Sequence, residues 1–355
     1  MLVNSVEKAA PLPVAVIGAG YWGPNLVRNI AMNPSTSLSW VCDVDLARAE
    51  RLASTYAGAR AIDDVWAVLG DVDVEALAIA TPPSTHAELA IAALQAGKHV
   101  LIEKPLASSI EDAEKMVDEA EANDRVLMCD HTYCYTPAVQ YMRDVVHRGE
   151  LGELQFIDSV RINLGIVQRD VDVVWDLAPH DLSVLDVVLP PGVGVRSVSA
   201  TGADPIRSGQ TCVAYLSMEL DGGAIAHVHV NWLSPTKVRT MILGGSRRTL
   251  RWDDLDPTQR ISIYDRGVEV SLDAEPNSPS TRQIAYRIGD MVAPALRERE
   301  ALSGVLDEFV ASIREHRAPL TDARSGLRVL RLLDAARTSI ANGGCAIPIE
   351  GWCTT

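Results

Sequence analysis

Long apolar runs are missing from this sequence: none approaches the ~20 residues that a membrane-spanning helix needs, so no membrane association is expected. The opening stretch, Met1 to Ala10, carries Glu7 and Lys8 and lacks the apolar core of about 7–15 residues that marks a secretory signal. It reads as a loose tail on a cytoplasmic protein. Positive charge is also scarce, with 32 lysines and arginines against 47 acidic residues and a net charge of −15. Such a surface repels a phosphodiester backbone rather than releasing its counterions, so nucleic acid is not an expected partner. The charge reads as a solubility feature, with attraction for a cationic substrate such as an amino sugar as the weaker alternative. The six cysteines (Cys42, Cys129, Cys134, Cys212, Cys345, Cys353) show no CxxC spacing, which points to free thiols and no metal site.

What is present is a globular composition, 47% hydrophobic and 22% charged, without repeats or low-complexity tracts. At 355 residues the chain suggests two domains of about 150 residues each as a first expectation. Up to about residue 130, short apolar β-rich runs (Val14 to Gly18, Ser39 to Asp43, Val74 to Ala80, His99 to Glu103, Val126 to Asp130) alternate with segments of helical periodicity (Tyr21 to Met32, Leu46 to Tyr56, Thr85 to Ala96, Ile110 to Ala122). That rhythm specifies α/β architecture, a doubly wound parallel sheet of the Rossmann type over residues 1–131. After a helix from Pro137 to Arg148, longer alternating strands follow from Glu153 to Asp265, separated by turns such as Asp221-Gly222-Gly223 and interrupted by one helix near Asp176 to Val188. Asp273 to Ser280 reads as a loop, and two amphipathic helices, Ala301 to Glu315 and Asp322 to Ala341, close the chain. Residues 132–355 are thus expected to form an α+β domain with an open, mostly antiparallel sheet and helices on one face. The other face calls for a partner, and a homodimer or homotetramer through this sheet is the expectation.

Gly18-Ala19-Gly20-Tyr21-Trp22-Gly23 follows the first strand and opens the first helix. In that context the first glycine permits the tight turn, the second lets backbone N–H groups approach a pyrophosphate, and the third lets the helix pack closely. The motif alone would be weak; placed between a strand and a helix it points to a dinucleotide rather than a plain glycine turn. Asp43 ends the second strand, 20 residues after Gly23. There a carboxylate accepts from the ribose hydroxyls and repels a 2′-phosphate, favouring NAD over NADP. Its alternative is to cap the next helix, a task Asp45 can perform instead. Arg48, the nearest cation downstream, reads as too far along that helix for a phosphate contact.

Thr81-Pro82-Pro83-Ser84-Thr85-His86 follows the next strand, Gly97-Lys98-His99-Val100 leads into Glu103-Lys104-Pro105, and Asp176-Leu177-Ala178-Pro179-His180 lies in the second half. On these residues the sequence resembles the Gfo/Idh/MocA oxidoreductases, over roughly residues 13–350 and in the family's order. Tyr21-Trp22-Gly23-Pro24-Asn25, His131-Thr132 and Asp158-Ser159-Val160-Arg161 are similar to a subgroup associated with sugar modification for cell-surface polysaccharides and antibiotics. The resemblance implies that a secondary carbon of a sugar, nucleotide sugar or cyclitol is oxidised or reduced with a nicotinamide cofactor, in several members at C3 of a hexose. The pattern departs from the family at Ala178, where many members have Gly, and at Thr132 and Cys134, where many have Asn and Arg.

Oxidising a secondary alcohol requires a base of near-neutral pKa and a donor that stabilises negative charge developing on oxygen. Lys104, Asp176 and His180 can meet both needs: Lys104 follows a buried strand at its C-terminal edge, where open α/β sheets place ligands. Asp176 and His180, four residues apart, share one face of a helix. If that helix starts near Asp176, Pro179 is tolerated in its first turn and the helix dipole favours a neutral imidazole at His180. His180 is then the proton acceptor, Lys104 the donor to the reacting oxygen and Asp176 the orienting group, with lysine and histidine able to exchange roles. The bland alternatives are a surface lysine, a helix cap and a buried hydrogen-bonded histidine. Thr81, Pro82, His86 and Glu103 resemble the family's cofactor-contacting positions, which places the nicotinamide at the junction of the two domains; His86 could equally be a plain helix-face residue. Arg161 and Asn163 alternate on one strand face as candidate substrate contacts. Trp175 and Trp232 read as core aromatics before sugar-stacking ones. The leading function is an NAD-dependent sugar dehydrogenase making a 3-keto sugar, followed by an inositol dehydrogenase. A non-catalytic NAD-binding regulator is disfavoured because it has no need for Lys104, Asp176 and His180.

Overall fold

A computed structural model describes residues 10–272 and 282–352; the loop expected at Asp273 to Ser280 falls outside them. Two compact units divide the chain, Met1–Thr136 with Arg299–Leu330, and Pro137–Glu298 with Arg331–Thr355. Composition and periodicity carry the second domain unbroken from 132 to 355, whereas the segment Arg299–Leu330 packs with the first unit.

In the first unit, β1 (Leu12–Ile17), β2 (Thr36–Cys42), β3 (Arg60–Ile62), β4 (Ala76–Ile79), β5 (His99–Glu103) and β6 (Leu127–Asp130) form one parallel sheet in the order β3-β2-β1-β4-β5-β6. The helices α1 (Gly23–Met32), α2 (Leu46–Ala53), α3 (Val65–Gly70), α4 (His86–Gln95) and α5 (Ile110–Ala122) connect the strands. All four residues of β4 and Val14 to Ile17 of β1 are buried, as expected for parallel strands covered on both faces, which read as continuous apolar runs rather than alternating ones. β3 and α3 are absent from the sequence-based expectation because three and six residues are too short to show a period. Strand order reverses between β1 and β4, the place where doubly wound sheets open a crevice for ligands.

The second unit begins with α6 (Pro137–His147), β7 (Leu154–Leu164) and α7 (Val173–Val188), followed by β8 (Val195–Ala203), β9 (Val213–Leu220), β10 (Ile225–Asn231), β11 (Leu233–Gly245), β12 (Thr249–Asp253), β13 (Ile261–Leu272) and β14 (Arg282–Val292). Their sheet runs β14-β13-β12-β11-β7-β10-β9-β8. All neighbours are antiparallel except β7 and β10. β9 alternates strictly between buried and outward residues, with Ala214, Leu216 and Met218 buried. Pairing register puts Val228 of β10 opposite both Leu216 of β9 and Ser159 of β7, so these share the face that α7 covers.

Past β14 the chain returns to the first unit as α8 (Ala301–Glu315), then forms α9 (Ala323–Ala341) and ends with β15 (Ile347–Pro348) against β8. Between α8 and α9, Thr321 closes the free edge of β6. Its carbonyl accepts from the Cys129 N–H at 2.9 Å and its hydroxyl donates to the Cys129 carbonyl at 2.7 Å. Asp322 bridges Met128 beside them.

Candidate active site

In the first unit the residues singled out from the sequence gather at the C-terminal ends of β1, β2, β4, β5 and β6. Gly18 has φ +99°, and a Cβ there would meet the Ala80 carbonyl at 2.6 Å and the Thr81 nitrogen at 3.1 Å, so only glycine lets the β1 turn lie against the end of β4. A Cβ at Gly23 would stand 2.1 Å from the Gly18 carbonyl oxygen, whereas one at Gly20 would meet no protein atom within 4 Å. Two glycines thus shape the loop, and the third leaves its outer side open. α1 starts at Gly23 with no side-chain cap and no acidic residue in its first turn, leaving its N–H groups to an anion. These features fit the pyrophosphate of NAD.

Asp43 is buried at the end of β2, with Oδ2 accepting from the Ala19 N–H at 2.7 Å and Oδ1 from the Asp45 N–H at 2.9 Å. The carboxylate therefore braces the glycine loop. It does not cap α2; Asp45 does that by accepting from the Arg48 N–H. Arg48 reaches the same carboxylates, its Nη1 3.4 Å from Asp43 Oδ1 and its Nη2 3.6 Å from Asp45 Oδ2. One turn of helix brings it back to the end of β2. Tyr21 projects from the loop, 96% exposed, and Trp22 is half-buried.

Thr81 and Pro82 follow β4 after Ala80. His86, the first residue of α4, is wholly buried, its Nδ1 2.9 Å from the Pro105 carbonyl and its Nε2 2.9 Å from the Thr81 carbonyl. Burial lowers its pKa. A neutral imidazole has one N–H, so it donates to one of these main-chain oxygens and stands beside the other, and where a cofactor contact was expected the buried ring serves as a clasp. It joins the turn after β4 to the cis Lys104–Pro105 turn after β5.

Lys104 is half-buried beyond β5. Glu103 before it pairs in register with Asp130 at the end of β6, a neighbour the sequence reading passes over as the last residue of a strand. Burial and the adjacent Asp130 push the Glu103 carboxyl well above the usual carboxylate range. Asp130 is raised to about 6, mainly by burial, against the hydrogen bonds of Thr132 and Trp22. His131 is buried with neither ring nitrogen hydrogen-bonded, and burial with the nearby Lys104 charge holds it neutral, at about 3.

In the second unit α7 begins earlier than its periodicity implies. Asp172 caps it, accepting from the Trp175 N–H at 2.9 Å. Asp176 is therefore not the cap, Pro179 stands in the second turn, and His180 lies too far along for the dipole of the first turn to reach it. Pro179 has no N–H to give the Trp175 carbonyl, a local cost to the helix. Asp176 and His180 still share a face, and Trp232, 1% exposed, donates its indole N–H to Asp176 Oδ2 at 2.9 Å. Asn163 lies close by: a Cβ on Gly165 would meet its amide nitrogen at 3.0 Å and the Trp232 ring at 2.9 Å. Arg161 departs from expectation. Buried to 2%, its Nε donates to Asp181 Oδ2 at 2.6 Å and its Nη2 to Oδ1 at 3.3 Å, while Ser159 Oγ donates to the same Oδ1 at 2.8 Å. This strand-to-helix ion pair holds α7 on the sheet, in place of the expected substrate contact. Among the described residues no helix is long and apolar enough to cross a membrane.

Comparison with known proteins adds to this geometry. Residues 12–131 match the family model described as oxidoreductase family, NAD-binding Rossmann fold, and residues 139–251 match the GFO/IDH/MocA C-terminal domain. UDP-N-acetylglucosamine 3-dehydrogenase of Acidithiobacillus ferrooxidans is 29% identical over 326 residues, covering 92% of this chain and 96% of that protein. Its solved structure superposes with a TM-score of 0.79 at 28% identity, over 94% of this chain and 99% of the other. A 4-carboxy-2-hydroxymuconate-6-semialdehyde dehydrogenase of Sphingobium is 32% identical over 342 residues, 93% of this chain and 99% of that protein. Inositol 2-dehydrogenase of Rhizobium meliloti is 25% identical over 341 residues, 92% and 96% respectively.

Proposed function

This chain belongs to the Gfo/Idh/MocA family of NAD-dependent oxidoreductases, and on that premise we propose that it is a sugar dehydrogenase. Its substrate is a nucleotide sugar or an aminoglycoside-type intermediate of antibiotic or polysaccharide biosynthesis, and the reaction converts a ring secondary hydroxyl, at C3 of a hexose, to a ketone. The observation that carries this reading is likeness along almost the whole chain to a UDP-N-acetylglucosamine 3-dehydrogenase, in a chain that has Lys104, Asp176 and His180. Inositol oxidation is the second reading, supported by a likeness of similar extent.

In this proposal the glycine loop and Asp43 would hold the dinucleotide, whose nicotinamide would supply the acceptor for the hydride of the carbinol carbon. Lys104 donates a hydrogen bond to the reacting oxygen, stabilising its developing charge. His180 takes the hydroxyl proton, and Asp176, fixed by the Trp232 indole, orients the imidazole. Self-association through the sheet face turned away from α7, where Tyr215 and Ile225 are exposed, belongs to the same reading.

The test is a panel of UDP- and dTDP-hexoses, aminoglycosides, myo-inositol and a hydroxymuconate semialdehyde, incubated with NAD while the absorbance of reduced cofactor is followed. Turnover confined to hexose derivatives, with a 3-keto product, supports the proposal. Turnover of inositol or the semialdehyde alone overturns it, and tight NAD binding without turnover of any compound would establish a regulator.

A further inference from the structure

Asp130 has no part in the chemistry described so far, yet its surroundings are built. It is 1% exposed, at the end of the apolar strand β6, and Glu103 lies opposite it in register on β5. Its Oδ1 accepts from the Thr132 hydroxyl at 2.8 Å, and its Oδ2 receives the Trp22 indole N–H at 3.4 Å. Trp22 is the residue before α1 in the glycine loop. The Glu103 Oε2 is sealed from solvent with no hydrogen-bond partner, and burial with the neighbouring Asp130 charge pushes this carboxyl well above the usual range. Buried carboxyl groups on facing positions of neighbouring strands resist ionising together.

We propose that Asp130 is a positioning residue for Lys104: pinned by Trp22 and Thr132, it shares one proton with Glu103, and the single negative charge of the pair sets the field in which the lysine ammonium works. This rests on the oxidoreductase reading above, in which Lys104 meets the reacting oxygen. Asp130 also ties the glycine loop, through Trp22, to the end of β6, which lies in register beside the end of β5 that precedes the lysine.

The ionisable groups around the pair are few. Lys104 faces it from the end of β5; Cys129 on β6 has a thiol pushed up by burial and by both carboxylates. His131 is neutral, and Cys134 follows in the next turn. Around neutral pH the pair therefore carries one negative charge beside one lysine. Asp130, raised to about 6, is the group that protonates as pH falls through that value, and the charge is then lost.

The test uses Thr132→Val, which removes the hydroxyl donor to Asp130 and keeps the side-chain shape. Losing a hydrogen bond to the ionised form moves its titration up by about one pH unit, and Thr132→Ser, which keeps the hydroxyl, brings it back. Two readouts are followed on the NAD-bound protein: the infrared band of protonated carboxyl groups as a function of pH, and the acid limb of kcat with whichever substrate the panel identifies. Wild type should show one carboxyl titrating near pH 6, matched by the acid limb, with both displaced upward in Thr132→Val. Trp22→Phe should displace both in the same direction if Thr132→Val does not fold. The proposal is overturned if no carboxyl titrates near pH 6, if Thr132→Val and wild type share one midpoint, or if the band moves while the acid limb stays. The infrared readout needs no substrate, so a panel without turnover sinks the functional reading and leaves the carboxyl pair separately decided.

Discussion

Replacing Arg161 by leucine separates a structural arginine from a substrate-binding one. In the native protein the guanidinium gives Asp181 two hydrogen bonds, at 2.6 and 3.3 Å, and both side chains are at most 3% exposed. Arg161→Leu leaves the Asp181 carboxylate buried with the Ser159 hydroxyl as the remaining donor among these contacts. Removing one partner of a buried pair costs about 3–5 kcal/mol, because the surviving charge can neither be solvated nor paired. In a unit of this size one kcal/mol corresponds to about 2–4 °C in Tm, so the unfolding transition of the second unit should fall by roughly 6–20 °C. Differential scanning calorimetry with and without NAD is the suitable assay, since a chain of two units need not unfold in one step. The double variant Arg161→Leu/Asp181→Leu should recover most of the loss, because an apolar pair of similar volume is often as stable as the ions it replaces. If Arg161→Leu keeps its Tm within 2 °C of wild type, by the same estimate of about 2–4 °C per kcal/mol, while KM rises tenfold or more, Arg161 is a substrate contact after all.

Three further outcomes follow from the site. The enzyme should prefer NAD to NADP in kcat/KM, and Asp43→Ser should narrow the preference mainly through the cofactor KM, as the proposed ribose contact of Asp43 requires; an NADP value equal to the NAD value in wild type refutes the assignment. Gly20→Ala, whose methyl group meets no protein atom, should keep its Tm without cofactor yet bind NAD more weakly in a fluorescence titration, whereas Gly23→Ala should lose stability in the absence of cofactor. Lys104→Ala and His180→Ala should each lower kcat by about 10²- to 10⁴-fold with the thermal transition unchanged, and the double variant should be much less than multiplicatively worse if they handle one proton together; near wild-type kcat in either single variant removes that residue from the mechanism.

The doubly wound sheet was legible because its strands are buried on both faces and stand out as apolar runs, and because glycines at 18, 20 and 23 sit where a strand becomes a helix. Local periodicity failed where tertiary contacts decide the outcome. α7 starts at Val173 because Asp172 is free to cap it, and an apolar window cannot tell which of two aspartates four apart does so. Arg161 and Asn163 share a strand face as alternation requires, but whether that face meets solvent or a helix depends on Asp181, 20 residues away in sequence. Asp130 was hidden for the same reason, since a carboxylate ending an apolar strand becomes informative only once register sets it opposite Glu103. The clasp by His86 could have been suspected from a histidine opening an otherwise apolar helix beside Thr81; its second partner, the Pro105 carbonyl, could not.

The closure of the β6 edge by Thr321 has a consequence for how the chain leaves the ribosome. The six strands of the first sheet are complete by residue 130, but the segment that covers their last edge is separated from them by the roughly 160 residues of the second unit. At about 5–20 residues per second, the Cys129 N–H and carbonyl wait on the order of 10 s or more for Thr321. Over that interval the nascent first unit presents an unpaired parallel edge, the kind of surface to which another chain adds a strand. Fragments ending near residue 136 keep that exposure permanently, so a transplantable cofactor unit from this protein has to carry the 299–330 segment with it, joined by a short linker in place of the excised sheet.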